Sequence, residues 1–114
     1  WNSCYYMSPE DPFNFQKHVF EISRVLKKNG TIIVSIPKKT CFLFKDSKKI
    51  KKDYRIIKND YFGLRNGQVM RCFENKNEIE KSFKSKFKKF IHSSIDIDWF
   101  GLDYHWHVFI AVKK

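Results

Sequence analysis

Phe15, Val19, Ile22 and Leu26 recur at intervals of four, three and four residues. That spacing sets them on one stripe of an α-helix, with Val25 at its flank. Asp11 as N-cap, Pro12 at the first helical position and Gly30 just past the end bound a predicted helix at 12–28. Lys27 and Lys28 fall in the last turn, where a cation favours the negative end of the helix dipole. Thr31 to Ile36 then runs without polar alternation, rich in β-branched residues, and stops at Pro37. This is the pattern of a strand covered on both faces. A helix joined by a glycine turn to such a strand is the second half of a βαβ unit.

A second helix is predicted from Asn75 to Phe87. Asn75 and Glu78 form an N-cap and capping-box pair, and Ile79, Phe83 and Phe87 repeat every four residues. From Phe90 to Trp99 the apolar Ile95, Ile97 and Trp99 alternate with Asp96 and Asp98. From Tyr104 to Val112 the alternation resumes. It puts Tyr104, Trp106, Val108 and Ile110 on one face and His105, His107, Phe109 and Ala111 on the other. Two alternating runs joined by Phe100-Gly101-Leu102-Asp103 are antiparallel neighbours.

Residues 38–72 fit neither period. Cys41-Phe42-Leu43-Phe44 is an apolar knot, and Asn66-Gly67 is suited to closing a small hairpin. A stretch of this length reads as an insertion, serving as a lid, a substrate arm or a mobile linker. Charge sharpens that reading. Residues 38–58 carry nine basic and two acidic side chains, and residues 76–89 carry six and two, while the remainder balances. The net charge of +11 is therefore concentrated in two segments. The functional alternative is a surface for nucleic acid or an anionic membrane, and the plain one is a solvated lysine face. Lys outnumbers Arg 19 to 4, which is a poor composition for bidentate phosphate recognition.

The 114 residues suffice for one domain, and twelve Phe, five Tyr and three Trp give it material for a core. No apolar run approaches the ~20 residues of a membrane span, and no signal peptide is visible. The first residue is Trp1, so the chain reads as beginning partway through a longer protein. Cys4, Cys41 and Cys72 are odd in number, widely spaced and without a C-x-x-C pair, which argues against a disulfide framework and a zinc site alike. Free thiols indicate the cytoplasm or nucleus.

The segment Glu21-Ile22-Ser23-Arg24-Val25-Leu26-Lys27-Lys28-Asn29-Gly30-Thr31-Ile32-Ile33-Val34-Ser35-Ile36-Pro37 resembles the class I S-adenosylmethionine-dependent methyltransferases. Their small-molecule members often carry E-x-x-R-V-L-K-P-G-G before the fifth strand, and at the family's Pro-Gly-Gly this chain has Lys28-Asn29-Gly30. The resemblance implies an α/β, Rossmann-like sheet, of which this chain is the C-terminal portion: strands five and six and the antiparallel strand seven, with their preceding helices. The last strand would insert between the other two. The N-terminal half that cradles S-adenosylmethionine would be absent, because no G-x-G loop exists among Gly30, Gly63, Gly67 and Gly101. The whole of 1–114 would then be part of one methyltransferase domain with a Lys-rich insertion at about 38–72.

That topology also implies where chemistry converges, at the carboxyl ends of the strands. Asn2 and Ser3 are the expected cofactor contacts, and Tyr5, Tyr6, Lys38 and Tyr104 the expected substrate contacts. His105 is the candidate catalytic base, since an imidazole suits proton removal at neutral pH. For Asn2 and Ser3 a simple turn cap, and for His105 a structural strand position, stand beside these roles. No metal is expected. The implied activity is methyl transfer to an acceptor, with a small molecule favoured. The 114 residues alone are expected to hold the cofactor weakly and to be inactive. The other function classes are a basic module binding nucleic acid or an anionic surface, and a non-catalytic remnant of the fold.

Overall fold

A computed structural model describes residues 3–114. The order of elements is helix α1 (Phe15–Arg24), strand β1 (Thr31–Pro37), a 3-10 turn (Phe42–Phe44), strands β2 (Lys48–Lys51), β3 (Tyr54–Ile56) and β4 (Val69–Arg71), helix α2 (Lys76–Phe83), and strands β5 (Phe87–Trp99) and β6 (Leu102–Lys113). The strands form two sheets, one ordered β1-β6-β5 and the other β2-β3-β4.

Every ladder between these strands is antiparallel. The expected Rossmann-like parallel α/β sheet is therefore overturned. β6 lies between β1 and β5 and is antiparallel to both, as expected of the last strand, so these strands make no parallel pair. The difference comes from the segment between β1 and α2. Residues 38–72, read as an insertion, instead build a second antiparallel sheet. Its β4 is extended on the far side by Tyr5 to Met7, through Arg71 N–H to the Tyr5 carbonyl (2.9 Å) and Met7 N–H to the Val69 carbonyl (3.0 Å). Nor is the basic stretch loosely held, because Cys41, Leu43, Phe44, Tyr54 and Ile57 within it are all buried.

The helices are shorter than their periodicity suggests. Asp11 spends its carboxylate on the Asn14 side-chain amide (3.0 Å) and its N–H on the Ser8 carbonyl (3.1 Å). The helix consequently starts three residues later, where Asn14 caps it by accepting from the Lys17 N–H at 3.2 Å. α2 is capped by Asn75 as expected, accepting from Glu78 N–H at 3.1 Å, but it ends at Phe83 and Phe87 opens β5. At the end of the α1 segment Asn29, not Gly30, takes the left-handed conformation (φ 65°). Gly30 is needed for a different reason: a Cβ there would lie 2.8 Å from the Lys27 carbonyl oxygen.

One face of the β1-β6-β5 sheet makes the core. Ile32, Val34 and Ile36, with Phe109 and Ala111, join Phe15, Val19 and Ile22 of α1 and Ile79 and Phe83 of α2 in a single buried cluster. Phe83 is its hub, with its ring 5.0 Å from Phe109, 5.7 Å from Phe15 and 5.9 Å from Phe87. β1 is not covered on both faces as its composition suggests, since Ile33 is 59% exposed between buried neighbours. The β5–β6 connection is a two-residue turn, Phe100 and Gly101, both with positive φ (55° and 86°). The Asp98 carboxylate holds it by accepting from the Gly101 N–H at 2.6 Å. No helix among the described residues is long and apolar enough to cross a membrane.

Candidate small-molecule site

The first residues of the chain and the start of the last strand meet. A turn closed by Tyr6 N–H on the Ser3 carbonyl (3.1 Å) sets Tyr5 and Tyr6 side by side, their rings stacked at 4.9 Å. Pairing of residues 5–7 with β4 fixes that turn against the second sheet. From β6, alternation turns Tyr104 and Trp106 to the face opposite Phe109. Tyr104 lies 5.3 Å and Tyr5 5.9 Å from the Trp106 ring, and Trp99 of β5 stands 6.3 Å from Tyr104. These residues, with Ser3, Phe42, Leu43, Phe62 and Arg65, line a cavity of about 380 Å³.

Arg65 supplies the charge. It comes from the β3–β4 connection, which is organised by a carboxylate with no solvent exposure, that of Asp60. Asp60 accepts from the Phe62 N–H (3.2 Å), the Arg65 N–H (3.0 Å) and the Arg65 Nη1 (3.1 Å). A buried carboxylate is tolerable only with such a complement of donors. Arg65 Nε then donates to the Tyr6 hydroxyl at 2.9 Å. Burial opposes the Arg65 charge, but the Tyr6 and Asp60 interactions outweigh it and raise its pKa. Burial likewise pushes the Tyr5 phenol well above its ordinary range, so Tyr5 stands here as a neutral ring. Trp106 is 9% exposed, and its indole N–H is buried without a hydrogen-bond partner among the described residues.

The residues singled out from sequence divide between two places. Ser3, Tyr5, Tyr6 and Tyr104 line this cavity together. Asn2 lies outside the described residues. Lys38 and His105 are not lining residues. Lys38 Nζ is clamped between both Asp96 oxygens (2.8 Å each) and Ser94 Oγ (3.0 Å), and its N–H meets the His105 carbonyl at 3.0 Å. The His105 ring is hydrogen-bonded through Nδ1 to Thr40 Oγ1 at 2.8 Å. Alternation puts it on the face of β6 away from Tyr104 and Trp106.

Asp60 and Arg65 were not anticipated. The only sequence signal was an acidic residue opening a loop that holds two glycines and an asparagine, with an arginine in its middle. The three thiols are favoured in their protonated form. Burial pushes Cys4 up to about 12, Cys72 up to about 11, and Cys41 in the same direction. The lysines of β2 are exposed along an edge of the second sheet, where charge keeps an open strand from pairing with another chain. No family model matches the chain, and no curated protein matches it.

Proposed function

We propose that this chain supplies the acceptor-binding wall of an S-adenosylmethionine-dependent methyltransferase acting on a small molecule. One observation carries the reading: Ser3, Tyr5, Tyr6 and Tyr104, from opposite ends of the chain, line one aromatic cavity. The motif at residues 21–37 supports the reaction class. The antiparallel fold gives it no support, and the proposal does not rest on it.

The residues present do not fit the cofactor itself. Gly63, Gly67 and Gly101 sit in open hairpin loops and Gly30 closes on Lys27, so none forms a phosphate or ribose cradle. Among the described residues no carboxylate lines the cavity to take a ribose. Donor binding therefore falls to residues beyond these 114, and no step is routed through it. What the cavity does is orient the acceptor and exclude water, and positioning of this kind supplies most of the catalysis in an in-line displacement. The free cysteines suit a reducing compartment such as the cytoplasm.

Three measurements test the reading. Calorimetric titration of the chain with S-adenosylmethionine should show no micromolar binding, and micromolar affinity would overturn the acceptor assignment. In the parent protein, Tyr104→Ala should raise KM for the acceptor and leave KM for the donor unchanged. A folded parent that transfers no labelled methyl to any small molecule would overturn the reaction class.

A further inference from the structure

We propose that the cavity selects a planar aromatic anion, with the ring held among Tyr5, Tyr6, Tyr104 and Trp106 and the anionic group directed to Arg65. The proposal names the acceptor class for the site described above, but it is tested by binding alone, so its failure and the failure of methyl transfer are separate results.

Three observations converge on this class. The walls are aromatic, and side chains of that kind favour flat partners in offset or edge contact. Arg65 is the one charged side chain among the described lining residues. Its Nε and Nη1 are engaged by Tyr6 and Asp60, which fixes the guanidinium plane, while Nη2 makes no hydrogen bond among the described residues. A held guanidinium of this kind is a carboxylate receptor. The third observation is the orphan donor. Trp106 lines the same cavity, and its indole N–H is buried with no acceptor among the described residues. Buried donors are nearly always satisfied, so an unsatisfied one at a cavity wall points to an acceptor atom supplied from outside. A ligand with a ring and an anionic oxygen satisfies both groups.

The opposite class is excluded by the same residues. An aromatic cage for a cation would need a neutral or acidic lining, and Arg65 repels a cation there. The volume of about 380 Å³ lies at the small end of ligand pockets, fitting one or two fused rings.

The test is a ligand series of constant shape and varied charge: naphthoate, naphthamide and naphthylmethylammonium, titrated calorimetrically into the 114-residue chain. Naphthoate should bind at least about tenfold more tightly than naphthamide, equivalent to roughly 1.4 kcal/mol, with the ammonium weakest. On saturation the indole N–H proton resonance of Trp106, assigned with Trp106→Phe, should move downfield. Arg65→Met should abolish the preference for the anion. That variant leaves the Asp60 carboxylate without its cation, so if it fails to fold the wild-type series decides. Equal binding of acid and amide, preference for the ammonium, an unmoved indole resonance, or no binding in the series would each overturn the proposal.

Discussion

The two faces of the β1-β6-β5 sheet are made by alternate residues of the same strands, yet they are finished differently. On one, Ile32, Val34, Ile36, Phe109 and Ala111 are 0–5% exposed beneath α1 and α2. On the other, Ile91, Ile95, Ile97 and Trp99 are 42–65% exposed, although they are as apolar as their counterparts. Burial returns on that open face only around Trp106, where Tyr5 and Tyr104 reach it. Alternation decides which residues share a face, but it does not decide whether anything covers that face. The covered face provides stability, and the open one provides the cavity.

The sharpest way to break this contrast is Phe83→Ala. Losing the hub ring should cost roughly 3–5 kcal/mol, read as a fall in the denaturant midpoint. Ile91→Ala on the open face should stay within about 0.5 kcal/mol, and an equal loss at both positions would erase the distinction. Trp106→Phe should cost less than about 1.5 kcal/mol. The ring volume is largely kept, and the lost N–H leaves no partner unsatisfied. The same change should weaken naphthoate binding, so stability and affinity separate at one residue.

A smaller effect comes from pH. Burial, aided by the charges of Lys38 and His92 and opposed by Asp96, lowers the pKa of His107 from its ordinary 6.5. The fold thus prefers the neutral ring, and the unfolded chain takes up the proton more readily. Stability should begin to fall as the pH drops through about 6.5 and level off below the folded value. Asp96, held below its ordinary 3.8 by its hydrogen bond to Lys38, contributes stability present above that value and lost only at lower pH. Unfolding midpoints between pH 7 and 5 check the first window, and His107→Gln should flatten it. The smallest effect is expected at the edge of the second sheet. Replacing Lys48, Lys49, Lys51 and Lys52 with Gln should shift stability by no more than about 0.5 kcal/mol per site.

These contrasts also mark how far the chain can be read. The helical stripe of Phe15, Val19 and Ile22 and the alternation through Ile95, Ile97 and Trp99 are local and appear as such in the structure. The start of α1 was not legible, because Asp11 and Asn14 are both good caps and only the turn with Ser8 decides between them. Sheet type was not legible either. The place of the last strand beside β1 was legible through the resemblance, but the motif at 21–37 covers one helix–strand junction and records nothing of the second sheet that residues 38–72 build. β2 is exposed at every position, so it has no hydrophobic period to detect. Of the site, the aromatic residues stood out by composition. Arg65 did not, because its partners Asp60 and Tyr6 are brought to it by folding.

The central position of β6 bears on how the protein is made. Thr31 pairs with Val112 and Pro37 with Trp106, so β1 emerges from the ribosome long before its ladder partner exists. The β5–β6 hairpin closes through a two-residue turn and can form within microseconds of its synthesis. β1 must by then have waited through the synthesis of everything from residue 38 to β6 with its apolar side chains uncovered. Such long-range pairing is slow and exposes the nascent chain to association. Premature termination between β1 and β6 would therefore release a product with an unmatched apolar strand, a natural substrate for chaperones and proteases.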